Sequence, residues 1–204
     1  HGITIESSGV TVDLMGFSLT GDGGNEDYGA PGNPYNGIYV TGSAEEQETM
    51  PPIFVAPPAS AMGNGAPSVA VIENLVIKGG RISGFYAGLY CEYMNNSRIK
   101  ELVISGNTDD GVRLEGGNGN TLSGCTISGN GDSGVRLDGG NGNTLSGCTI
   151  SENGDYGVYL RGDSGQCNGN TIQDNRISKN TYRGINLWTA DGNRVEANNV
   201  WGTT

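Results

Sequence analysis

The chain has one histidine, His1, and none after it. That absence removes whole classes of chemistry. A Ser-His-Asp or Cys-His relay needs an internal imidazole, and hydrolytic zinc sites draw on histidine for their ligands. Four cysteines are present but no CxxC pair, so their spacing fits no zinc motif. Aromatics are few, at 7%, no apolar run reaches the length of a bilayer span, and no secretory leader is visible. Basic residues are scarce too: 11 Lys and Arg stand against 22 Asp and Glu, for a net charge of −11. Such a surface repels phosphate backbones and anionic headgroups, so neither nucleic acid nor membrane insertion is expected. No segment carries the apolar period of a helix, which also leaves no helix for a phosphate-cradling glycine loop to open.

What the chain has in excess is glycine, 37 of 204 residues, and repetition. "GGNGNTLSGCTIS" at residues 116–128 returns unchanged at 139–151. Aligned on the turn asparagine, the units continue through Asn107, Asn130, Asn153 and Asn180, with the insertion "GDSGQC" lengthening the last step. Apolar residues fall into columns: Ile104, Ile127, Ile150 and Ile177; Val112, Val135, Val158 and Ile185; Leu114, Leu137, Leu160 and Leu187; and Ile99, Leu122, Leu145, Ile172 and Val195. Within a unit they sit in short alternating pairs broken by Gly, Asn and Asp, which is the strand pattern. A unit of about 22 residues with three short strands has the size of one β-helix coil, and fits no helix-containing repeat.

In such a solenoid identical side chains stack at about 4.8 Å, so isoleucine continues the core and asparagine can hydrogen-bond up its own ladder. Gly111, Gly134, Gly157 and Gly184 recur just before a strand and are expected to supply unusual backbone angles at a corner. Residues 1–204 read as a single β-helix domain with loop insertions at 21–35 and 43–68. The second insertion carries "PPIFVAPP", which suits either a flap over the open end or flank of the coil or a groove wall or partner contact. The chain opens at "HGITIESSG", inside a strand and without an initiator Met, so a trimmed chain without its N-terminal cap is expected. Cys125 and Cys148 occupy one column of adjacent coils, roughly 5 Å apart between α-carbons and within bridging range. Their column continues as Leu102 and Asn175, the pattern of a small buried filler, and free thiols are expected. Cys91 is expected in the core and Cys167 in a loop.

Two rows of residues carry candidate chemistry. Asp109, Asp132 and Asp155 repeat in the turn that follows the ladder asparagine. Stacked carboxyls would stand about 5 Å apart on adjacent coils and about 10 Å two coils apart, near the separations of retaining and inverting glycosidases. Crowding would raise their pKa values and suit a shared proton or a Ca²⁺ ion. The same residues in "NGDSG" and "NGDYG" are also ordinary turn formers. Downstream, the outward strand positions form a column of Tyr39, Tyr90, Arg113, Arg136, Tyr159 and Asn186, with Glu92, Glu115, Asp138, Arg161 and Trp188 in the next. Rings and guanidinium groups suit a sugar chain, with Tyr90, Arg113, Arg136, Tyr159, Arg161 and Trp188 as the binding set. Cross-coil pairs such as Arg113 with Asp138 or Arg136 with Glu115 would make the same face a solvated sheet.

"GVTVDLMGFSLTG" at 9–21 and the "N…GV.L" units resemble the right-handed parallel β-helix proteins of the pectin lyase-like superfamily, in particular bacterial secreted β-helix repeat proteins. The resemblance covers nearly the whole chain and implies an all-β, right-handed, single-stranded parallel β-helix with coils of about 22–23 residues. It also implies a polysaccharide partner and an extracellular, cell-surface or periplasmic location. The superfamily spans lyases, polygalacturonases, epimerases and tailspikes, so the activity has to be tested motif by motif. "NTDDGV" at 107–112 is similar to the first polygalacturonase element and sets Asp109 at its catalytic position, but no GHG follows and "RIK" at 98–100 precedes the turn. The epimerases and lyases that use a DPH-type motif fall with the missing histidine. A calcium-dependent lyase pattern, acidic cluster plus Arg or Lys base, stays compatible; no cofactor is required by the residues and no metal ligand set is assigned. The reading is therefore a secreted protein that binds and cleaves or modifies acidic polysaccharide as a lyase or glycoside hydrolase. The alternative is a non-catalytic structural or adhesive solenoid, which leaves room for an oligomer.

Overall fold

The computed structural model describes residues 3–5, 8–21, 36–40, 71–162 and 166–202. The 43–68 insertion and nearly all of the 21–35 insertion lie outside the described residues. Among those described there are strands and no helix. Seven parallel strands form a front sheet: Ile3–Ile5, Asn36–Val40, Ala87–Glu92, Val112–Glu115, Val135–Asp138, Tyr156–Arg161 and Arg183–Trp188, hydrogen-bonded in that order from coil to coil. Between successive front strands the chain returns through a rear sheet of twelve strands. There Val76–Ser83 and Arg98–Ser105 run unbroken, whereas later coils divide the same path into pairs such as Thr121–Ser123 and Thr126–Ser128. Parallel pairing to the next coil throughout makes the molecule a β-solenoid, as the columns predict.

Register follows the columns residue for residue. Val112 pairs with Val135 and Leu114 with Leu137, Val158 with Ile185, and Ile127 with both Ile104 and Ile150. Their side chains fill one continuous core in which Ile99, Ile104, Ile127, Ile150 and Ile172 are fully buried. Each contributes on the order of 2 kcal/mol through apolar burial alone. A shift by one residue would expose the whole set, so the hydrophobic rows lock the stacking.

Beside this core runs the predicted asparagine ladder. Asn107 Nδ2 donates to Asn130 Oδ1 at 2.9 Å, Asn130 to Asn153 at 2.9 Å and Asn153 to Asn180 at 2.9 Å. Each Oδ1 also accepts the backbone N–H of the asparagine one coil earlier, as in Asn107 N to Asn130 Oδ1 at 3.2 Å. All four are buried, and each amide has both a donor and an acceptor to spend on the same repeat. Cys125 and Cys148 are free and buried and Cys91 is in the core, as expected; Cys167, in its loop, is buried as well. Their column is more than filler: Cys148 Sγ accepts the Cys125 N–H at 3.4 Å where, one coil on, Asn175 Oδ1 accepts the Cys148 N–H at 2.9 Å.

The corner glycines correct the sequence reading. Gly111, Gly134 and Gly157 do not have positive φ. They are required by close approach: a Cβ on Gly134 would meet Ile150 Cγ2 at 2.5 Å and Gly157 O at 2.8 Å. The left-handed conformation falls five residues earlier, at Gly106 and Gly129, and the later coils hold it with Glu152 and Lys179.

Candidate functional site

The turn that carries the ladder asparagine also carries the aspartates, and the ladder fixes their position. Asp132 N–H donates to Asp109 O at 3.1 Å and Asp155 N–H to Asp132 O at 3.1 Å, so the three stack coil on coil. The stack is closed by tyrosines: Asp109 N–H bonds Tyr86 O at 2.8 Å below, and Tyr182 N–H bonds Asp155 O at 2.9 Å above. The Tyr86 side chain also hydrogen-bonds the Asp109 carboxylate.

A fourth carboxyl, absent from the repeat pattern, sits behind the column. Asp110 is 0% exposed; its Oδ1 accepts the Ser133 N–H at 3.0 Å, and its Oδ2 has no partner among the described residues. One carboxylate oxygen each from Asp109, Asp110 and Asp132 lie within 4.8 Å of one another. This oxygen set suits a hard cation, and it brings together two of the three predicted aspartates. The third, Asp155, is tied to Asp132 by a side-chain hydrogen bond. Burial, and then the Asp132 charge, hold the Asp109 carboxyl above the usual aspartate range. Asp110 is pushed well above it by burial and by Asp109 and Asp132. Asp155 is raised by burial and by Asp132. The one-letter signal for Asp110 was the doubled "DD" of "NTDDG", where later coils have "DS" and "DY".

On the front sheet the predicted columns align: Tyr90, Arg113, Arg136 and Tyr159 pair in one row, and Glu115, Asp138, Arg161 and Trp188 in the next. The first row is not an open face. Tyr90 is 7% exposed and the Arg113 and Arg136 side chains 22% and 17%. Arg113 Nη2 reaches Asp138 Oδ2 at 3.2 Å, the cross-coil pair expected, and Glu115 Oε2 at 3.3 Å. Arg136 pairs through Nε with Asp138 of its own strand at 2.8 Å, two residues along on the same face of the strand. Each guanidinium lies over a ring, Arg113 over Tyr90 at 5.4 Å and Arg136 over Tyr159 at 5.6 Å. The Tyr90 hydroxyl is shared between Glu92 at 2.9 Å and Glu115 at 2.7 Å. The buried side-chain polar atoms without a partner among the described residues are Asp110 Oδ2, Arg113 Nε and Asp138 Oδ1, all in or beside this patch.

Beyond Tyr159 the patch becomes aromatic. Tyr156 stacks on Tyr159 at 4.8 Å and meets Tyr182 edge-on at 5.5 Å, with Arg183 over Tyr182 at 4.9 Å. Tyr156, Tyr182 and Arg183 escape a column reading because they are not repeated. Trp188, one coil above Arg161, is 58% exposed and Tyr182 51%.

The profile described as "Right handed beta helix region" matches residues 31–200. Among solved structures, DFA-IIIase of Arthrobacter chlorophenolicus A6 in complex with GF2 is similar over 95% of this chain and 54% of its own, at 12% identity and a TM-score of 0.53. Its C387A mutant in complex with DFA-III matches over 81% of this chain and 41% of its own, at 12% identity and a TM-score of 0.52. The A-module of the Azotobacter vinelandii mannuronan C-5 epimerase AlgE6 covers 66% of this chain and 51% of its own, at 19% identity and a TM-score of 0.29. The chain thus spans about half the length of these structures, and the DFA-IIIase likeness speaks to the fold. No curated protein sequence matches it. With the profile covering most of the chain and the coils stacked as described, the chain belongs to the right-handed β-helix family.

Proposed function

We propose that the protein binds a polysaccharide along the aspartate column and front sheet, outside the cytoplasm, and hydrolyses it between Asp109 and Asp132. The observation that carries this reading is a pair of partly exposed carboxyls one coil apart, within 4.8 Å, beside a cluster of stacked rings. That spacing is close to the roughly 5 Å of retaining glycosidases. Asp109, raised above the ordinary range by burial and by Asp132, serves as the acid that gives a proton to the glycosidic oxygen as the C–O bond breaks. Asp132 attacks the anomeric carbon to form a glycosyl ester. Asp109, now a carboxylate, then takes a proton from the water that opens the ester and returns Asp132 to its starting state. Asp110 is sealed and touches no substrate; its Oδ1, by accepting the Ser133 N–H, ties the turn that carries Asp109 to the turn that carries Asp132. Eliminative cleavage is less well supported, because Arg113 and Arg136, the nearby candidates for a base, are engaged by Glu115 and Asp138. That the structures of like fold are of an enzyme held with DFA-III or GF2 supports a catalytic reading.

The test is digestion of a polysaccharide panel, with and without Ca²⁺, reading new reducing ends together with absorbance from unsaturated uronates. Reducing ends without absorbance, lost in Asp109→Asn and Asp132→Asn, are the expected result. Absorbance would mean a lyase. Silence across the panel would favour the second reading, a non-catalytic structural or adhesive module.

A further inference from the structure

We infer that the polymer is electrically neutral, a glycan recognised through its hydroxyls and not through carboxylates. This rests on the polysaccharide reading and goes beyond it. On the two outward columns Glu92, Glu115 and Asp138 offset Arg113, Arg136 and Arg161, so this part of the face carries no excess of positive charge. The aspartate column beside it gains only Arg183 in addition, and it already repels itself: Asp109, Asp110 and Asp155 are each raised by burial and by a neighbouring carboxylate. A uronate laid here would bring one more negative charge per residue into that field.

Uronate recognition is favoured by a guanidinium fork presented to the ligand. Arg113 spends Nη2 on Glu115 and Asp138, and Arg136 spends Nε on Asp138. Arg183 donates through Nη1 to Asn186 Oδ1 at 2.9 Å while lying over Tyr182. Arg113 and Arg136 are built into the sheet as internal counter-charges, and the exposed Arg183 is held by a neutral amide and a ring. A neutral sugar asks for different things, and the face offers them. The partly exposed Asp109 and Asp132 carboxyls can exchange hydrogen bonds with vicinal sugar hydroxyls. The half-exposed Tyr182 and Trp188 give flat apolar area to the C–H face of a pyranose or furanose ring.

The experiment compares neutral polymers (mixed-linkage glucan, galactomannan, inulin) with polygalacturonate and alginate by affinity electrophoresis and calorimetry on the whole chain, at low and at physiological salt. The expected result is a neutral polymer retained at least about tenfold more tightly than either uronate at low salt, with the gap narrowing as salt screens the repulsion. Asp138→Asn, which takes the paired carboxylate from Arg136 and leaves Arg113 with Glu115 alone, should raise uronate affinity while leaving neutral affinity in place. Glu115→Gln, which loosens Arg113 alone, should do so by a smaller factor and serves if the first variant folds poorly. Uronate bound as tightly as any neutral polymer would overturn the inference and leave the polysaccharide reading standing. Retention of no polymer of either charge would overturn both.

Discussion

Two columns climb the same corner of the coil, two residues apart, under the same backbone geometry: Asn107, Asn130, Asn153 and Asn180, and Asp109, Asp132 and Asp155. The amides satisfy one another, because each carries a donor and an acceptor and the next coil presents the complement at 2.9 Å. Carboxylates cannot do this. Each is an acceptor only, so stacking them forces protons to be shared or charge to be endured, and Asp109 and Asp155 are raised for that reason as well as by burial. Repetition of asparagine satisfies the polar groups it adds, whereas repetition of aspartate two residues along sets like charges against one another.

The comparison can be broken in several places. The largest effect is expected on catalysis: Asp132→Asn should lower kcat/KM about 10³-fold on the cleaved polymer while the melting temperature stays or rises. Asn130→Ala should do the reverse. It leaves the Asn107 N–H and Nδ2 without their acceptor inside the protein, and should cost roughly 2–4 kcal/mol in urea unfolding. A smaller, pH-dependent effect is expected for Asp110→Asn. Because folding raises the Asp110 pKa, its favourable contribution is present below the unfolded value and lost as pH rises through the folded one. The variant should therefore melt higher than the wild type at neutral pH, with the gap closing in acid. Tyr182→Ala should weaken polymer binding by about three- to tenfold without moving stability much, as measured by calorimetry. Least of all, Lys179→Ala removes an exposed pair with Glu152, both side chains more than 60% exposed, and should change stability by under about 0.5 kcal/mol.

Most of the fold was legible because a solenoid writes its contacts at a fixed offset: the Ile, Val, Leu and Asn columns are register statements, and the pairing of Val112 with Val135 and Arg113 with Arg136 follows from them. The same logic brought Asp109, Asp132 and Asp155 together. It failed where a residue acts once. Asp110 has Ser133 above it, so no column announced it, though it is the most deeply buried carboxyl of the cluster. Tyr86 and Tyr182, which bracket the aspartates, were hidden because aromatic and acidic letters look unlike one another in a repeat alignment, although their backbones continue one stack. A repeated glycine marks either an unusual φ or a close approach, and only the coil spacing tells Gly134 from Gly129. The partner of Arg136 was misjudged on similar grounds: Glu115 and Asp138 are both near in register, and the guanidinium turned along its own strand.

The most direct test of the contrast between the two columns is a carboxyl-detected NMR titration of the aspartates in the folded protein. The account predicts that Asp109, Asp110 and Asp155 titrate above the ordinary aspartate range, while Asp13, hydrogen-bonded by Lys78, titrates below it. Asp109, Asp110 and Asp155 all titrating as ordinary solvated carboxylates would contradict it, and would return the column to a row of turn residues.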